Sequence, residues 1–225
     1  MFGKLYGVGV GPGDPELLTL KAVRIINECD YIAIPCDKKE QCLSYAIALQ
    51  AIPNLANKPI IPINIPMIKD EVISKQNYQN ASQNLISYLE QGLTIAFLTI
   101  GDPTIYSTYL YLHEIIMANH FECEIISVIT SFCAAAATLN KGLVKKDEPL
   151  HLIPASYPVE EVLDLPGTKI FMKSGKQLSS IKSALLAKNL SSKMIANCGL
   201  ENEVIYQRVE DFPEESSYYT LIITT

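Results

Sequence analysis

The sequence lacks features that several classes of protein require. It contains no tryptophan, only three histidines, and no Cys-x-x-Cys pair among its six cysteines. Because structural zinc sites are built from closely spaced cysteines and histidines, the sequence predicts no metal site. The cysteines are instead expected to be reduced, small and mainly buried side chains.

Long apolar runs and a basic excess are also missing. No apolar stretch approaches the roughly 20 residues of a membrane-spanning helix, and no basic segment followed by an apolar one suggests a secretory signal. These patterns predict a cytoplasmic protein with no membrane partner. The net charge is −6, from 18 Lys and Arg against 24 Asp and Glu, which argues against a nucleic-acid-coating surface. Apolar residues make up 48% of the 225, enough for a sizeable core.

Strand-sized apolar runs alternate with segments of helical period, a pattern typical of an α/β protein with a largely parallel sheet. The predicted strands are residues 4–10, 30–34, 93–99, 122–128, 150–154, 169–173, 193–197, 203–207 and 219–224. The first predicted helix begins at Asp14. Further helices are predicted at residues 41–51, 70–91, 105–118, 132–139, 159–163 and 176–188. Residues 60–65 are crowded by prolines, which predicts an edge strand or a loop. The strand order must restart after the helix at 105–118, so we expect two lobes, residues 1–115 and 116–225.

A glycine-rich segment, residues 7–14 (GVGVGPGD), closes the first predicted strand. It does not fit the G-x-G-x-x-G dinucleotide fingerprint, because Pro12 or Asp14 falls where the third glycine is needed. No Gly-Lys-Ser/Thr follows, so it is not a Walker A loop either. Asp14 would repel a pyrophosphate at the start of the next helix. The segment therefore predicts a ligand without phosphate, with a purely structural turn as the alternative.

Two further clusters follow predicted strands. Residues 99–107 (TIGDPTIYS) place a carboxylate, Asp102, at the carboxyl end of a strand, where ligands of open α/β sheets bind. Residues 130–137 (TSFCAAAA) place Thr130 and Ser131 at another strand-to-helix turn. The alanines allow a helix to approach a bulky ligand or simply to pack closely.

The three clusters, in this order and spacing, resemble the tetrapyrrole methylases of cobalamin and sirohaem biosynthesis over nearly the whole chain. Within that family the segments 101–107 and 130–136 are most similar to the precorrin-2 or cobalt-factor II C20-methyltransferases. The resemblance implies two α/β lobes, with a mostly parallel N-terminal sheet that carries the glycine-rich loop and a mixed C-terminal sheet. It also implies S-adenosylmethionine in the cleft between the lobes, and a homodimer. Apolar residues in the proline-rich segment 60–67 are consistent with an oligomer contact.

The resemblance also implies which residues hold S-adenosylmethionine. The matching positions are Pro12, Ile100, Gly101, Asp102, Ile105, Thr130, Ser131, Met172 and, in a weaker match, Gly199. Uroporphyrinogen methyltransferases resemble this chain but carry an acidic residue after the second strand, where this sequence has Pro35. That departure favours the C20 branch.

The chemistry that the resemblance implies makes few demands on side chains. A sulfonium methyl donor is already activated, so aligning it with an electron-rich meso carbon can supply much of the rate. Asp102 or Tyr106 can assist loss of the proton, with a structural or cofactor-positioning role as the alternative for both. Lysines are expected to meet the carboxylates of the tetrapyrrole; the candidates are Lys38, Lys39, Lys141, Lys145, Lys146, Lys173 and Lys176.

Pro35 removes the acid that would handle protons at a ring carbon, and the small residues at 131 and 134–137 would widen one flank of the cleft. Together they predict methylation at C20 rather than at a ring carbon. Other readings remain open: another tetrapyrrole methylase, acting on uroporphyrinogen III or a later precorrin; a ribosomal-RNA or diphthine methylase of the same fold; or a non-catalytic tetrapyrrole-binding protein.

Overall fold

The computed structural model describes residues 2–66, 70–154 and 156–225. The chain divides into two compact units, Met1–Thr130 and Ser131–Thr225. The division falls fifteen residues after the predicted boundary at 115. The reason is that the strand following the predicted boundary returns to the sheet of the first unit and pairs beside its first strand.

The first unit is built on a five-stranded parallel sheet in the order β3-β2-β4-β1-β5. Its strands are β1 (Lys4–Gly9), β2 (Tyr31–Ile34), β3 (Ile60–Pro62), β4 (Ile95–Thr99) and β5 (Glu122–Ile126). The short, proline-containing β3 lies at the sheet edge, which is one of the two alternatives that the sequence predicted. Because all five strands are parallel, their carboxyl ends share one edge of the sheet.

Four helices connect these strands: α1 (Leu20–Glu28), α2 (Leu43–Ala51), α3 (Glu71–Leu89) and α4 (Tyr109–Ala118). The helix predicted from Asp14 onward begins later. Asp14 caps only a short 3-10 turn by accepting a hydrogen bond from Glu16 N at 2.8 Å. The chain is then extended at Leu18, and the hydroxyl of Thr19 caps α1 by accepting from Ala22 N at 3.2 Å.

The core of the first unit explains one of the glycines in β1, an interior strand of the sheet. Tyr109 is fully buried, and its ring covers β1 so closely that a Cβ at Gly7 would lie 2.0 Å from Tyr109 Cε1. The phenol oxygen is 3.0 Å from His113 Nδ1. Gly7 thus lets an aromatic side chain pack directly on the sheet backbone.

An ion-pair cluster joins α1, β1 and β5 on the surface of this unit. Glu124 accepts hydrogen bonds from Lys21 at 2.7 Å and from Lys4 at 2.8 Å. These bonds, that from Lys21 first and that from Lys4 next, lower the pKa of Glu124 to about 2. The carboxylate therefore stabilises this surface mainly above the pKa of an ordinary glutamate.

The second unit has a mixed sheet in the order β6-β7-β10-β8-β9. Its elements are α5 (Ser131–Thr138), β6 (Leu150–Pro154), β7 (Thr168–Met172), α6 (Leu178–Ala187), β8 (Ser192–Ala196), β9 (Val204–Tyr206) and β10 (Thr220–Thr224). β6 is parallel to β7, whereas β10 is antiparallel to both β7 and β8. A parallel sheet and a mixed sheet confirm the predicted α/β fold class.

Three predictions about particular segments need correction. The segment predicted as a helix at 159–163 is a 3-10 turn, Val159–Glu161. Ile61 and Ile63 are buried, so the described apolar residues of segment 60–67 serve the core of the first unit more than its surface; Met67 lies outside the described residues. Most of the alanine run is also buried (Ala134, Ala135 and Ala136), so it packs α5 rather than widening an open flank.

Across the described ranges, no helix combines the length and the apolar character needed to cross a membrane.

Candidate active site

Three loops meet at the carboxyl edge of the first sheet. The glycine loop (10–14) follows β1, the Asp102 loop (100–108) follows β4, and the Thr130 turn (127–130) follows β5. β1 lies between β4 and β5, so the three loops leave adjacent strands. This edge is where ligands bind in open α/β sheets.

The glycine loop and the Asp102 loop are joined through their backbones. Gly101 N donates to Gly11 O at 2.8 Å, and Val10 N donates to Thr99 O at 3.0 Å. Both glycines have left-handed backbones, with φ of +77° at Gly11 and +70° at Gly101. A residue with a side chain is strained in this region, so glycine lets both positions adopt this backbone without strain.

Gly9, at the end of β1, lets all three segments approach one another. A Cβ at this position would lie 2.4 Å from Val128 Cγ2 and 2.6 Å from Gly101 O. Both distances are far shorter than van der Waals contact. Glycine is therefore required at residue 9 for packing, a reason that the motif in the sequence does not reveal.

Asp102 binds two of these segments through its carboxylate. The residue is only 4% exposed. Its Oδ1 accepts hydrogen bonds from the amide, at 2.8 Å, and from the hydroxyl of Thr104. Its Oδ2 accepts from the Ser127 hydroxyl and, at 2.9 Å, from Val128 N. The Asp102 loop and the Thr130 turn are thus held together by one buried carboxylate.

The protonation of Asp102 follows from these contacts. Burial by itself would raise the pKa of the carboxyl, but the hydrogen bonds from Ser127, Thr104 and Val128 outweigh it and bring the pKa below its ordinary value. An ionised carboxylate with four protein donors has little capacity left to accept a proton from a substrate. What the structure shows directly is that Asp102 holds two segments together, and proton transfer and positioning both remain predictions for it.

Two features of this edge suit a bound organic molecule. A Cβ built on Gly101 would meet no atom within 4 Å, so a ligand can approach its backbone. Thr130 Oγ1 is buried without a hydrogen-bond partner among the described residues, and a buried hydroxyl left unpaired is costly unless a ligand satisfies it. Pro12 is buried beside the loop bridge, and Ile100 and Ile105 are partly exposed.

The glycine loop offers little to a phosphate. The helical turn after it is only three residues long, Pro15–Leu17, and its amide at Glu16 is already taken by the carboxylate of Asp14. The anion-binding geometry of a dinucleotide loop is therefore replaced by a turn that carries its own negative charge.

Tyr106 lies in the Asp102 loop with an unusual backbone. Its φ is +48°, and the side chain is 44% exposed. A bulky residue in this region signals local strain, which is often stored at functional sites. The helix α4 begins only at Tyr109, four residues later than the sequence predicted. At its start the Ser107 hydroxyl accepts a hydrogen bond from Tyr109 N at 3.2 Å.

The remaining predicted site residues belong to the second unit. Met172 ends β7, Gly199 follows β8, and Ser131 is the first residue of α5. Since β7 and β8 both run antiparallel to β10, Met172 and Gly199 lie toward the same edge of the second sheet.

The chain turns sharply after both of these strands. Lys173, Asn197 and Gly199 have left-handed backbones, with φ of +61°, +57° and +77°. Gly199 N donates to Glu203 Oε2 at 2.8 Å. Lys173, one of the candidate substrate contacts, places Nζ 5.2 Å from the ring centre of Tyr218.

Sequence reasoning missed Ser127, Thr104 and the backbone contact of Gly11. Ser127 gave no signal of its own, because the sequence placed it inside the predicted strand 122–128, whereas β5 ends at Ile126. Nothing in the sequence pairs it with a carboxylate 25 residues earlier.

Comparison with known proteins agrees with this architecture. A family model described as tetrapyrrole (corrin/porphyrin) methylases matches residues 4–212. A protein of Methanocaldococcus jannaschii named probable cobalt-precorrin-2 C(20)-methyltransferase is 39% identical over 80% of this chain and 77% of its own length. The precorrin-2 C(20)-methyltransferase of a Sinorhizobium species is 31% identical over 98% of this chain and 94% of its own.

A solved structure adds a comparison of fold. The uroporphyrin-III C-methyltransferase of Thermus thermophilus, crystallised with S-adenosylhomocysteine, superposes with a TM-score of 0.70. It covers 99% of this chain and 97% of its own, at 20% identity.

The chain belongs to the tetrapyrrole methylase family, as its sequence motifs predicted. Members of this family are methyltransferases, so the protein is an enzyme of that class.

Proposed function

We propose that this protein is an S-adenosylmethionine-dependent C-methyltransferase that acts on C20 of precorrin-2 or of its cobalt-containing form, in cobalamin biosynthesis. The main support is that relatives at 39% and 31% identity over most of the chain carry the names of this reaction. Pro35 after β2, in place of the acid that the resemblance leads us to expect in uroporphyrinogen enzymes, supports the same branch.

The first unit offers a fitting site for the methyl donor. We propose that S-adenosylmethionine lies against the open backbone of Gly101 and gives Thr130 Oγ1 its missing hydrogen bond. Pro12, Ile100 and Ile105 supply apolar contact, and Asp102 holds the loops. For the second unit, Ser131, Met172 and Gly199 remain predicted cofactor contacts. When bound, the sulfonium cofactor supplies the activated methyl group.

The chain's own contribution to the reaction is then chiefly placement. The bridge between Gly11 and Gly101, together with the Asp102 carboxylate, holds the loops through contacts of the chain itself, so little ordering is left for binding to achieve. Tyr106 is the better of the two predicted proton acceptors, because its side chain is partly exposed whereas the Asp102 carboxylate is saturated with donors. We propose that Tyr106 assists departure of the proton from C20: its phenol oxygen takes that proton while the phenol passes its own proton to solvent, which the exposed side chain reaches.

Product analysis tests the reaction itself. The protein would be incubated with carbon-13-methyl S-adenosylmethionine and either precorrin-2 or its cobalt form, and the product examined by mass spectrometry and NMR. We expect one new labelled methyl group, at C20. A label on a pyrrole-ring carbon would refute the C20 assignment and leave only the methyltransferase class, and the preferred substrate identifies the metal state.

Kinetics separates the roles of Tyr106 and Asp102. We expect Tyr106→Phe to lower kcat with little change in affinity for S-adenosylhomocysteine, since the phenol acts on the substrate. Asp102→Asn should weaken cofactor binding more than it lowers kcat, because it disturbs the hydrogen bonds that hold the loops. The opposite pattern would return the catalytic role to Asp102.

Binding of the tetrapyrrole requires positive charge on an acidic protein. We propose that some of the candidate lysines contact its carboxylates, and Lys38 and Lys39 are well placed among them. They follow β2, which pairs with β4, and so they lie at the same sheet edge as the Asp102 loop. Changing both to alanine should raise KM for the tetrapyrrole and leave cofactor affinity unchanged; an unchanged KM would exclude them.

We also propose a cytoplasmic homodimer. The family resemblance supports the dimer, and a light-scattering mass equal to one chain at micromolar concentration would refute it. All six cysteines lie among the described residues and none forms a disulfide, which fits a reducing compartment. Cell fractionation tests the location.

A further inference from the structure

Ser127 is an exposed residue that directly follows β5, yet its hydroxyl is committed to a buried partner. It donates to Oδ2 of Asp102, the same oxygen that accepts from Val128 N. Among the described residues, the other oxygen, Oδ1, accepts hydrogen bonds from Thr104 alone, within the Asp102 loop itself. One oxygen of the carboxylate thus organises its own loop, and the other joins that loop to the Thr130 turn.

This division of contacts gives Oδ2 control over the relative positions of two ligand-facing groups. Gly101, with open space before its backbone, directly precedes Asp102. Thr130, with its unpartnered hydroxyl, lies two residues after Val128. Packing of Val128 on Gly9 also holds this turn, and within that frame the distance between the two groups depends on how firmly the turn is held to Oδ2.

Two hydrogen bonds hold that turn, and Ser127 supplies one of them. Both are charge-assisted, since the acceptor is an ionised carboxylate, and such bonds are stronger than neutral ones. Val128 N cannot be removed without altering the backbone, whereas the Ser127 hydroxyl can be removed by a single substitution. Because Ser127 is exposed, its loss leaves no cavity in the core.

We propose that Ser127 is a positioning residue of the cofactor site: its hydroxyl, acting through Asp102, sets the Thr130 turn against Gly101 and thereby determines affinity for the methyl donor. The inference rests on the proposed function, because it takes these groups to face S-adenosylmethionine. Ser127 itself touches neither the donor nor the reacting carbon. Its contribution should consequently appear in binding and not in the chemical step.

Three variants test this. Ser127→Ala removes the hydroxyl. Ser127→Thr keeps a hydroxyl and adds one methyl group, which an exposed position tolerates. Ser87→Ala is the matched control: it is an exposed serine near the end of α3, whose hydroxyl donates to Asn84 O. That end of α3 lies by the start of β1, where Gly3 N donates to Leu89 O, and so at the opposite edge of the sheet.

The affinity of each full-length protein for S-adenosylhomocysteine would be measured by calorimetry, together with KM for S-adenosylmethionine, kcat and the melting temperature. We expect Ser127→Ala to weaken binding about tenfold, in line with the loss of a hydrogen bond to a charged group, and to raise KM similarly. Its kcat at saturating donor should stay within about twofold of wild type, because an interaction that is equally strong in the ground state and the transition state contributes to binding alone. Ser127→Thr should recover most of the affinity, and Ser87→Ala should match wild type.

Several results would overturn the proposal. Unchanged affinity in Ser127→Ala, or failure of Ser127→Thr to restore it, would show that the hydroxyl does not position the site. A fall in kcat without a rise in KM would place the Ser127–Asp102 pair in the chemical step. If wild-type protein failed to bind S-adenosylhomocysteine, the proposed function would fall and this inference with it; normal wild-type binding with an unaffected variant would overturn this inference alone.

Discussion

Substitution of Gly101 is expected to separate cofactor binding from folding. The residue has a left-handed backbone, with φ of +70°, and a Cβ added there would meet no protein atom within 4 Å. A side chain at this position therefore costs backbone strain but causes no collision. The hydrogen bond from the amide of residue 101 to Gly11 O can remain in place.

The two effects appear in different measurements, strain in stability and lost contact in cofactor affinity. The left-handed conformation costs an L-residue roughly 1–2 kcal/mol of folding free energy. In a chain of this length each kcal/mol lowers the melting temperature by about 2–4 °C. A ligand in contact with the Gly101 backbone would have to withdraw to make room for a Cβ. We expect Gly101→Ala to lose at least about tenfold in affinity, about 1.4 kcal/mol. Gly101→Val should abolish measurable binding, because two more carbons enter the same space.

The assay combines calorimetric titration with S-adenosylhomocysteine, circular dichroism and urea denaturation. Gly92→Ala is the matched control, because Gly92 has φ of +81° but lies in the turn between α3 and β4. It should show comparable strain with wild-type affinity. A Gly101→Val protein with a native spectrum and unchanged affinity would refute the assignment of this loop to the cofactor.

Three further expectations concern stability and are tested by urea denaturation. Gly9→Ala should destabilise by about 1–3 kcal/mol, as overpacked sites do, and should also weaken cofactor binding because the loops must separate; unchanged values would contradict the close packing. Glu124→Gln should be less stable than wild type at pH 6, a difference that shrinks as pH falls from about 4.5 toward 2 and the wild-type carboxylate is protonated. Tyr109→Phe should cost about 1 kcal/mol through its lost contact with His113, and a stability equal to wild type would show that this hydrogen bond contributes nothing net.

Local patterns in the sequence were enough to predict most of the strands, the α/β class and the family. The edge position of β3 followed from its prolines, and the three loops could be located because each follows an apolar run. The start of the first helix did not follow from the sequence, because Asp14 and Thr19 are both good caps. The structure shows that Thr19 caps α1. Such choices depend on which turn fits the packing around it, and the residues alone do not decide between two adequate caps.

Contacts between distant segments were decided by the tertiary structure. The sequence contains Asp102 and Ser127, but their hydrogen bond exists only because β5 pairs with β1 in a particular register. The same pairing moves residues 116–130 into the first unit, against the predicted boundary. It also brings Val128 against Gly9, so that a glycine taken for part of a turn motif is required for packing. Hydrophobic period and turn chemistry act over a few residues, whereas strand order and register bring together groups far apart in the chain, and these long-range contacts distinguish a positioning carboxylate from a catalytic one.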